Sequence, residues 1–174
     1  MRPVAVLAAA AALAVVLVLA RPGVAVAEEG LFIARAGGGV ASPRSEMPAV
    51  DQLWTMSMDL TIGERAGMIG TTQLLPADES FTWALGLGFK YLLVERMWQR
   101  FFVHLGPQLL IVWPDGQDAR WDIALEAGLG YEHLLTWGFG LVFEIHGTAP
   151  AGRGPAEPLD AATAGATAGL FMEF

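Results

Sequence analysis

The feature that most constrains this chain is a two-residue alternation of apolar side chains with small or polar ones. In residues 164–174 every even position is apolar, whereas most odd positions carry Gly, Thr or Glu. Because successive side chains of a β-strand point to opposite faces, this period predicts a strand with one apolar face. The same alternation over 81–93, 121–133 and 137–145 predicts three more strands of the same kind.

Extending the pattern outward predicts eight strands, which cover approximately residues 31–40, 53–63, 67–75, 81–93, 98–113, 121–133, 137–148 and 163–174. Tight connections at 64–66, 94–97 and 134–136 alternate with mostly longer ones at 41–52, 76–80, 114–120 and 149–162. An even strand number with alternating short turns and long loops is typical of membrane barrels. The predicted fold class is therefore all-β, a transmembrane antiparallel up-and-down β-barrel of about eight strands.

Residues 1–27 have the composition of a cleaved signal peptide. Arg2 precedes an apolar run over residues 4–20, and Arg21-Pro22-Gly23 breaks this run before the small-residue site Ala25-Val26-Ala27. A helix breaker followed by an A-x-A site is typical of a cleaved signal peptide and is not needed in an uncleaved membrane anchor. We predict a signal peptide over 1–27 and a single barrel domain over 28–174.

The remaining composition excludes several classes of function. The sequence has 10 Lys and Arg against 18 Asp and Glu, and two of the arginines lie within 1–27, so the predicted mature chain has 8 basic residues against 18 acidic ones. Nucleic-acid binding is disfavoured because phosphate contacts need clustered basic side chains. The sequence contains no cysteine, which excludes disulfides, thiolate metal sites and a lipidated cysteine.

Aromatic side chains are concentrated near both ends of the predicted strands. Those on the long-loop side are Trp54, Trp83, Trp113 and Trp121, and those on the tight-turn side are Tyr91, Trp98, Tyr131, Trp137 and Phe174. Two such belts are typical of a barrel whose ends lie at the lipid headgroups. The ten residues from Trp121 to Tyr131 would cover about 23 Å of the membrane normal at roughly 45° tilt, close to the apolar band of about 25 Å in such barrels.

Two residues break the pattern. Trp98 has the wrong parity for the lipid-facing side chains of its strand, which predicts that it lies in a turn or beside a bulge. Pro107 falls in the middle of the fifth predicted strand, where it removes a ladder hydrogen bond. The proline therefore predicts either a local bulge or a fifth strand that is shorter than residues 98–113.

If the aromatic faces contact lipid, the opposite faces fill the interior. They carry Arg35, Asp59, Lys90, Arg100, His104, Gln108, Asp122, Glu126, Glu132, Glu144, His146 and Glu173. An eight-stranded barrel is just wide enough to be filled by side chains, so these charges need partners.

Strand direction predicts two levels for these interior charges. Arg35, Asp59, His104 and Glu126 are expected near mid-height with Glu144 somewhat above them, and Lys90, Arg100, Glu132 and Glu173 toward the mouth on the tight-turn side. We expect Arg35 to bridge two carboxylates, and water or protonation to compensate the remaining acids.

The signal peptide, the eight alternating segments, the aromatic ends and the terminal Phe174 together resemble the bacterial outer-membrane β-barrels of the OmpA transmembrane-domain and OmpX-like group. The resemblance implies a Gram-negative outer membrane with both termini in the periplasm, and lipid and lipopolysaccharide as surroundings. It implies the barrel assembly machinery and periplasmic chaperones as biogenesis partners, with Leu170, Met172 and Phe174 as the assembly signal. The implied function is structural or surface-interacting, adhesive or receptor-like, with no cofactor and with loops available to an extracellular ligand.

Three alternatives stay open. A lipocalin-like barrel would place the apolar faces inside, and a narrow channel for small polar solutes would need an open interior. A lipid-modifying enzyme could use Glu144, His146 and Thr148. The comparable set in outer-membrane lipid A deacylases faces the lipid and includes a serine, whereas here the parity points inward and the hydroxyl belongs to threonine. We therefore expect no catalysis and no metal site.

Overall fold

The computed structural model describes residues 30–43, 51–62, 65–76, 80–150 and 163–174, so the predicted signal peptide lies outside the described residues. The eight strands are β1 Gly30–Pro43, β2 Asp51–Ile62, β3 Ala66–Pro76, β4 Ser80–Arg96, β5 Gln99–Pro114, β6 Arg120–Thr136, β7 Phe139–Pro150 and β8 Thr163–Glu173. Each strand pairs antiparallel with the next, and β8 closes on β1. This confirms the predicted up-and-down barrel. No helix in these ranges is long and apolar enough to cross a membrane.

The pairing register determines how steeply the strands tilt. Directly paired residues can be followed once around the barrel from Phe32, and the path returns to β1 at Ser42, ten residues further along. It passes through Leu60, Met68, Phe89, Leu105, Ala127, Gly147 and Ala164. A stagger of ten residues over eight strands gives a tilt of about 40° at ~3.3 Å per residue and ~4.7 Å between strands. The loop end is the end where β1 finishes, and the turn end is the end where β1 begins and β8 finishes.

The exterior is apolar and the interior carries the charges. In β4, Leu87 and Phe89 are 58% and 75% exposed, whereas Ala84 and Lys90 are 1% and 3% exposed. The same alternation holds along β5 and β6. An apolar exterior around buried charges suits lipid rather than water as the surroundings. It argues against the lipocalin-like alternative, whose outer face would be polar.

Two tight turns lie further along the chain than the sequence pattern predicted. They occupy residues 97–98 and 137–138, not 94–97 and 134–136. The strands before them are longer because each contains a register shift, between Leu92 and Val94 in β4 and between Leu134 and Thr136 in β6. A bulge adds one residue to a strand and breaks its alternation, so the strand continues where the pattern suggests an end. Trp98 lies in the first of these turns, as its parity predicted.

The predicted bulge or strand end at Pro107 is wrong. β5 continues unbroken from Gln99 to Pro114, and its registers with β4 and β6 are the same on both sides of the proline. Beside the proline, Gly88 and Gly106 let the backbones of β4 and β5 come very close. A Cβ built on Gly88 would lie 2.6 Å from the carbonyl oxygen of Leu105. The β4–β5 ladder is interrupted beside Pro107, between the pairs Gly86–Gln108 and Phe89–Leu105, but it resumes in the same register.

An apolar layer inside the turn end was not predicted from the sequence. Its members are Ile33, Leu92, Phe102, Leu134, Val142 and Phe171. Phe102 and Phe171 are almost fully buried. A smaller apolar cluster of Ala84, Leu110 and Ala124 lies inside the loop end. Between these two apolar layers lie Lys90 of β4, His104 and Gln108 of β5, and Glu126 and Glu132 of β6, whereas Arg100 lies on the turn-end side of Phe102.

Large interior side chains lie over glycines of the neighbouring strand. The rings of Phe102 and His104 in β5 occupy the space that a Cβ would need at Gly130 and Gly128 in β6. Phe171 does the same over Gly140, and His146 over Gly165. Several of the large side chains in this narrow interior therefore occupy space that a glycine of the adjacent strand leaves free.

Candidate functional site

The most densely connected polar group in the barrel is a charge cluster formed by Arg35, Asp59, Lys90 and Glu132. The Nη1 and Nη2 atoms of Arg35 donate to Oδ1 and Oδ2 of Asp59, both at 3.0 Å. Arg35 Nε donates to Oε1 of Glu132 at 2.8 Å, and Nη2 donates to the same oxygen. Lys90 Nζ donates to Asp59 and lies 3.3 Å from Oε1 of Glu132.

The charge cluster is buried and formally neutral. None of its four side chains is more than 3% exposed. Two cations oppose two carboxylates, which is the condition under which buried ions are tolerated. The guanidinium carbon of Arg35 and the Lys90 ammonium also lie 5.0 Å and 4.4 Å from the centroid of the Phe102 ring. The cluster thus joins β1, β2, β4 and β6 across the interior, directly against the apolar layer.

The sequence-predicted levels of these residues differ from the observed arrangement. Lys90 and Glu132 were expected nearer the mouth than Arg35 and Asp59, but the four side chains meet in one cluster. The strand tilt offsets positions that seem level in the sequence, and the long side chains cover the remaining distance. Arg100 does lie nearer the turn end, where it binds Glu173 and lies 3.1 Å from Glu95 and 3.9 Å from Glu132.

A second group, the loop-side polar group, consists of His104, Gln108, Glu126, Glu144 and His146. His104 Nε2 lies 2.7 Å from Oε1 of Glu144. Glu126 accepts hydrogen bonds from the Thr71 hydroxyl at 2.8 Å and from the Gln73 amide. Within the described ranges neither amide atom of Gln108 has a hydrogen-bond partner, although the residue is only 1% exposed. This group contains no lysine or arginine.

The residues considered for lipid hydrolysis do not form a set that could reach lipid. His146 and Thr148 are buried in the interior, and Glu144 is directed toward His104. The Thr148 hydroxyl lies 2.6 Å from that of Thr163. In the part of the chain that the structure describes, no three His, Asp or Glu side chains are arranged to hold a metal ion.

The aromatic residues lie near the strand ends on the outer surface. Those near the loop end are Trp54, Trp83, Trp113 and Trp121, and those near the turn end are Tyr91, Trp98, Tyr131 and Trp137. Trp83 Nε1 donates to the Thr72 hydroxyl at 2.7 Å. Trp137, predicted at the start of a strand, instead projects from a turn and is 94% exposed. The two belts suit the two headgroup levels of a bilayer.

The C-terminal strand presents Leu170, Met172 and Phe174 on its outer face. The backbone N–H of Phe174 donates to the carbonyl oxygen of Phe32 at 2.9 Å, and the two rings lie 5.9 Å apart. The terminal residue therefore takes part in closing β8 on β1.

Comparisons with known proteins identify the fold. No protein-family model matches the sequence, and no curated protein matches it. The N-terminal barrel domain of Pseudomonas aeruginosa OprF matches with 13% identity and a TM-score of 0.64, over 84% of this chain and 98% of that one. Neisserial surface protein A matches with 14% identity and a TM-score of 0.65, over 83% and 97%.

The attachment invasion locus protein of Yersinia pestis, in complex with the heparin analogue sucrose octasulfate, matches with 11% identity and a TM-score of 0.59, over 84% of this chain and 99% of that one. At these identities the likeness concerns the fold alone. The fold is that of the eight-stranded outer-membrane β-barrels.

Proposed function

We propose that this chain is an integral outer-membrane barrel of a Gram-negative envelope with a structural or surface-interaction role, and that it is neither an enzyme nor an open channel. The observation that carries the proposal is the closed barrel with an apolar exterior and an interior filled by two apolar layers and paired charges. Such a body anchors itself in lipid and presents only its connections to water.

The proposed orientation follows from the lengths of the connections. Two connections at the turn end are two-residue turns, whereas most loop-end connections are longer in the sequence. Barrels of this kind have short periplasmic turns and longer outer loops. Both termini would therefore lie in the periplasm, where chaperones and the barrel assembly machinery would meet the C-terminal residues Leu170, Met172 and Phe174.

The interior supports a barrel that does not conduct. Phe102 and Phe171 fill the turn end, and the charge cluster spans the barrel beside them. A solute path would require opening of the ion pairs and displacement of both rings together. Opening buried ion pairs is costly because each charge then lacks its partner.

The interior also supports a role without catalysis. Glu144 and His146 face the interior rather than the lipid, and the Thr148 hydroxyl is next to that of Thr163. A lipid ester at the outer surface would not reach these groups. A surface-interaction role would therefore be carried by the loop-end connections.

The charge of the chain bears on which ligand these loops could bind. One structural neighbour is in complex with a heparin analogue, a polyanion. The loop-end connections at 41–52, 76–80, 114–120 and 149–162 together carry 8 acidic residues against 3 basic ones, so a polyanion would meet net repulsion there. We therefore propose an extracellular ligand with a neutral or basic surface.

Epitope insertion tests the location and orientation. One epitope is placed within residues 149–162 and another in the tight turn at residues 97–98, each in a separate variant expressed in a Gram-negative host. An antibody should label intact cells only for the first variant, and both variants after the outer membrane is permeabilised. Labelling of intact cells through the turn epitope alone, or recovery of the protein outside the outer-membrane fraction, would contradict the proposal.

A further inference from the structure

The loop-side polar group differs from the charge cluster in how its negative charge is compensated. The titratable side chains are Glu126, Glu144, His104 and His146, and among the described residues the one ion pair that involves them joins His104 to Glu144. Glu144 has an imidazole nitrogen of His104 at 2.7 Å. Glu126 accepts hydrogen bonds from two neutral side chains, Thr71 and Gln73. A buried carboxylate with neutral donors alone is poorly compensated.

Gln108 lies beside this carboxylate and has unused polar atoms. Gln108 pairs directly with Gly86 of β4. The Glu126 carboxylate lies over the same glycine, because a Cβ built on Gly86 would be 2.8 Å from Oε2 of Glu126. Side chains of directly paired residues start about 5 Å apart. The Gln108 amide and the Glu126 carboxylate therefore share one small part of the interior, and buried amides that lack partners are rare.

The chemistry of these groups matches a small cation with a single charge. A carboxylate oxygen, an amide carbonyl oxygen and a hydroxyl oxygen are the hard ligands that non-transition cations prefer. A single carboxylate, that of Glu126, balances one positive charge and leaves a divalent ion uncompensated.

We propose that Glu126, Gln108 and Thr71 bind a small monovalent cation, an alkali ion or ammonium, inside the loop half of the barrel. The cluster of Ala84, Leu110 and Ala124 lies on the loop side of the site, and the charge cluster lies on the turn side. The cation is therefore a fixed component of the interior and not an ion in transit. The proposal is independent of the surface role of the loops.

Cation-dependent stability tests the site. The barrel is purified in detergent at pH 8, and its thermal unfolding is measured at constant ionic strength with the chloride of sodium, potassium, ammonium or the bulky cation N-methyl-D-glucammonium. At least one small cation should raise the unfolding midpoint by about 3–6 °C over the bulky one, the shift expected for a ligand at roughly ten times its dissociation constant. The cation that acts at the lowest concentration identifies the occupant.

Matched variants locate the effect. Glu126→Gln and Gln108→Leu should each abolish the difference between small and bulky cations. The control variants Glu95→Gln, at the turn end, and Gln117→Leu, in the loop before β6, should retain it. A small-cation effect that persists unchanged in Glu126→Gln would overturn the proposal.

A measurement on the unaltered protein keeps the test independent of how the variants fold. The side-chain amide resonances of Gln108 should shift saturably as the active cation is added. No saturable shift up to 0.5 M would refute the site. A midpoint that depends on pH but not on the identity of the cation would refute it as well, since Glu126 would then be compensated by a proton.

Discussion

Removal of Arg35 should be among the most destabilising single changes in this barrel. In Arg35→Met, Asp59 and Glu132 lose their shared guanidinium, so the charge cluster changes from neutral to a net charge of −1. Lys90 still contacts both carboxylates, and Arg100 lies 3.9 Å from Glu132. Removing one partner of a buried ion pair costs about 3–5 kcal/mol. The lost contact with the Phe102 ring at 5.0 Å adds to this cost.

Urea unfolding from lipid vesicles, followed by tryptophan fluorescence, measures this loss. Arg96→Met is the matched control, because Arg96 is exposed at the end of β4 and its loss should cost less than about 0.5 kcal/mol. Combining Arg35→Met with Asp59→Leu leaves Lys90 opposite Glu132 and restores neutrality. The double variant should be more stable, by at least about 1 kcal/mol, than the sum of the two single changes implies. An Arg35→Met loss no larger than that of the control, or strict additivity, would refute the neutral-cluster account.

Three further outcomes follow from the same structure. Leu125→Arg, on the lipid face of β6, should destabilise folding into vesicles by about 2–4 kcal/mol, and a loss below about 0.5 kcal/mol would mean that this face does not meet the bilayer. Deleting Phe174 removes the backbone bond to Phe32 and should lower the yield of heat-modifiable, protease-resistant barrel in the outer membrane; equal yields would rule out an assembly role. In planar bilayers the protein should show no sustained conductance, and rare openings should become more frequent in Arg35→Met; stable channels unaffected by that change would favour the channel alternative.

The two faces of the barrel could be predicted because the alternation is strong where lipid and interior differ most. The alternation correctly assigns the large outward side chains of β4 between Leu85 and Phe89, and those of β6 between Ile123 and Leu129. The sequence pattern misplaced two tight turns, and it did so where the alternation of apolar side chains is interrupted. Leu92, Leu93 and Val94 are consecutive apolar residues, and this broken alternation is the trace of the bulge that extends β4.

The interior was harder to predict because it depends on register, which alternation alone does not supply. Arg35 and Glu132 lie on β1 and β6, which are not neighbouring strands, and their side chains meet across the interior. The sequence indicates the apolar layer inside the turn end only weakly. Phe171 is the one large aromatic residue at an odd position within 164–174, and Gly140, on the strand next to it, leaves the space that its ring occupies.

The central claim is that alternate residues of one strand face lipid and a filled interior. The chain has no cysteine, so single-cysteine variants along β6 can each carry one small fluorescent label without background. Labels at positions 123, 125, 127 and 129 should be strongly quenched by lipids with brominated acyl chains, and labels at 122, 124 and 126 should not, in variants that retain heat modifiability. Equal quenching at odd and even positions, or stronger quenching at the even ones, would contradict the account.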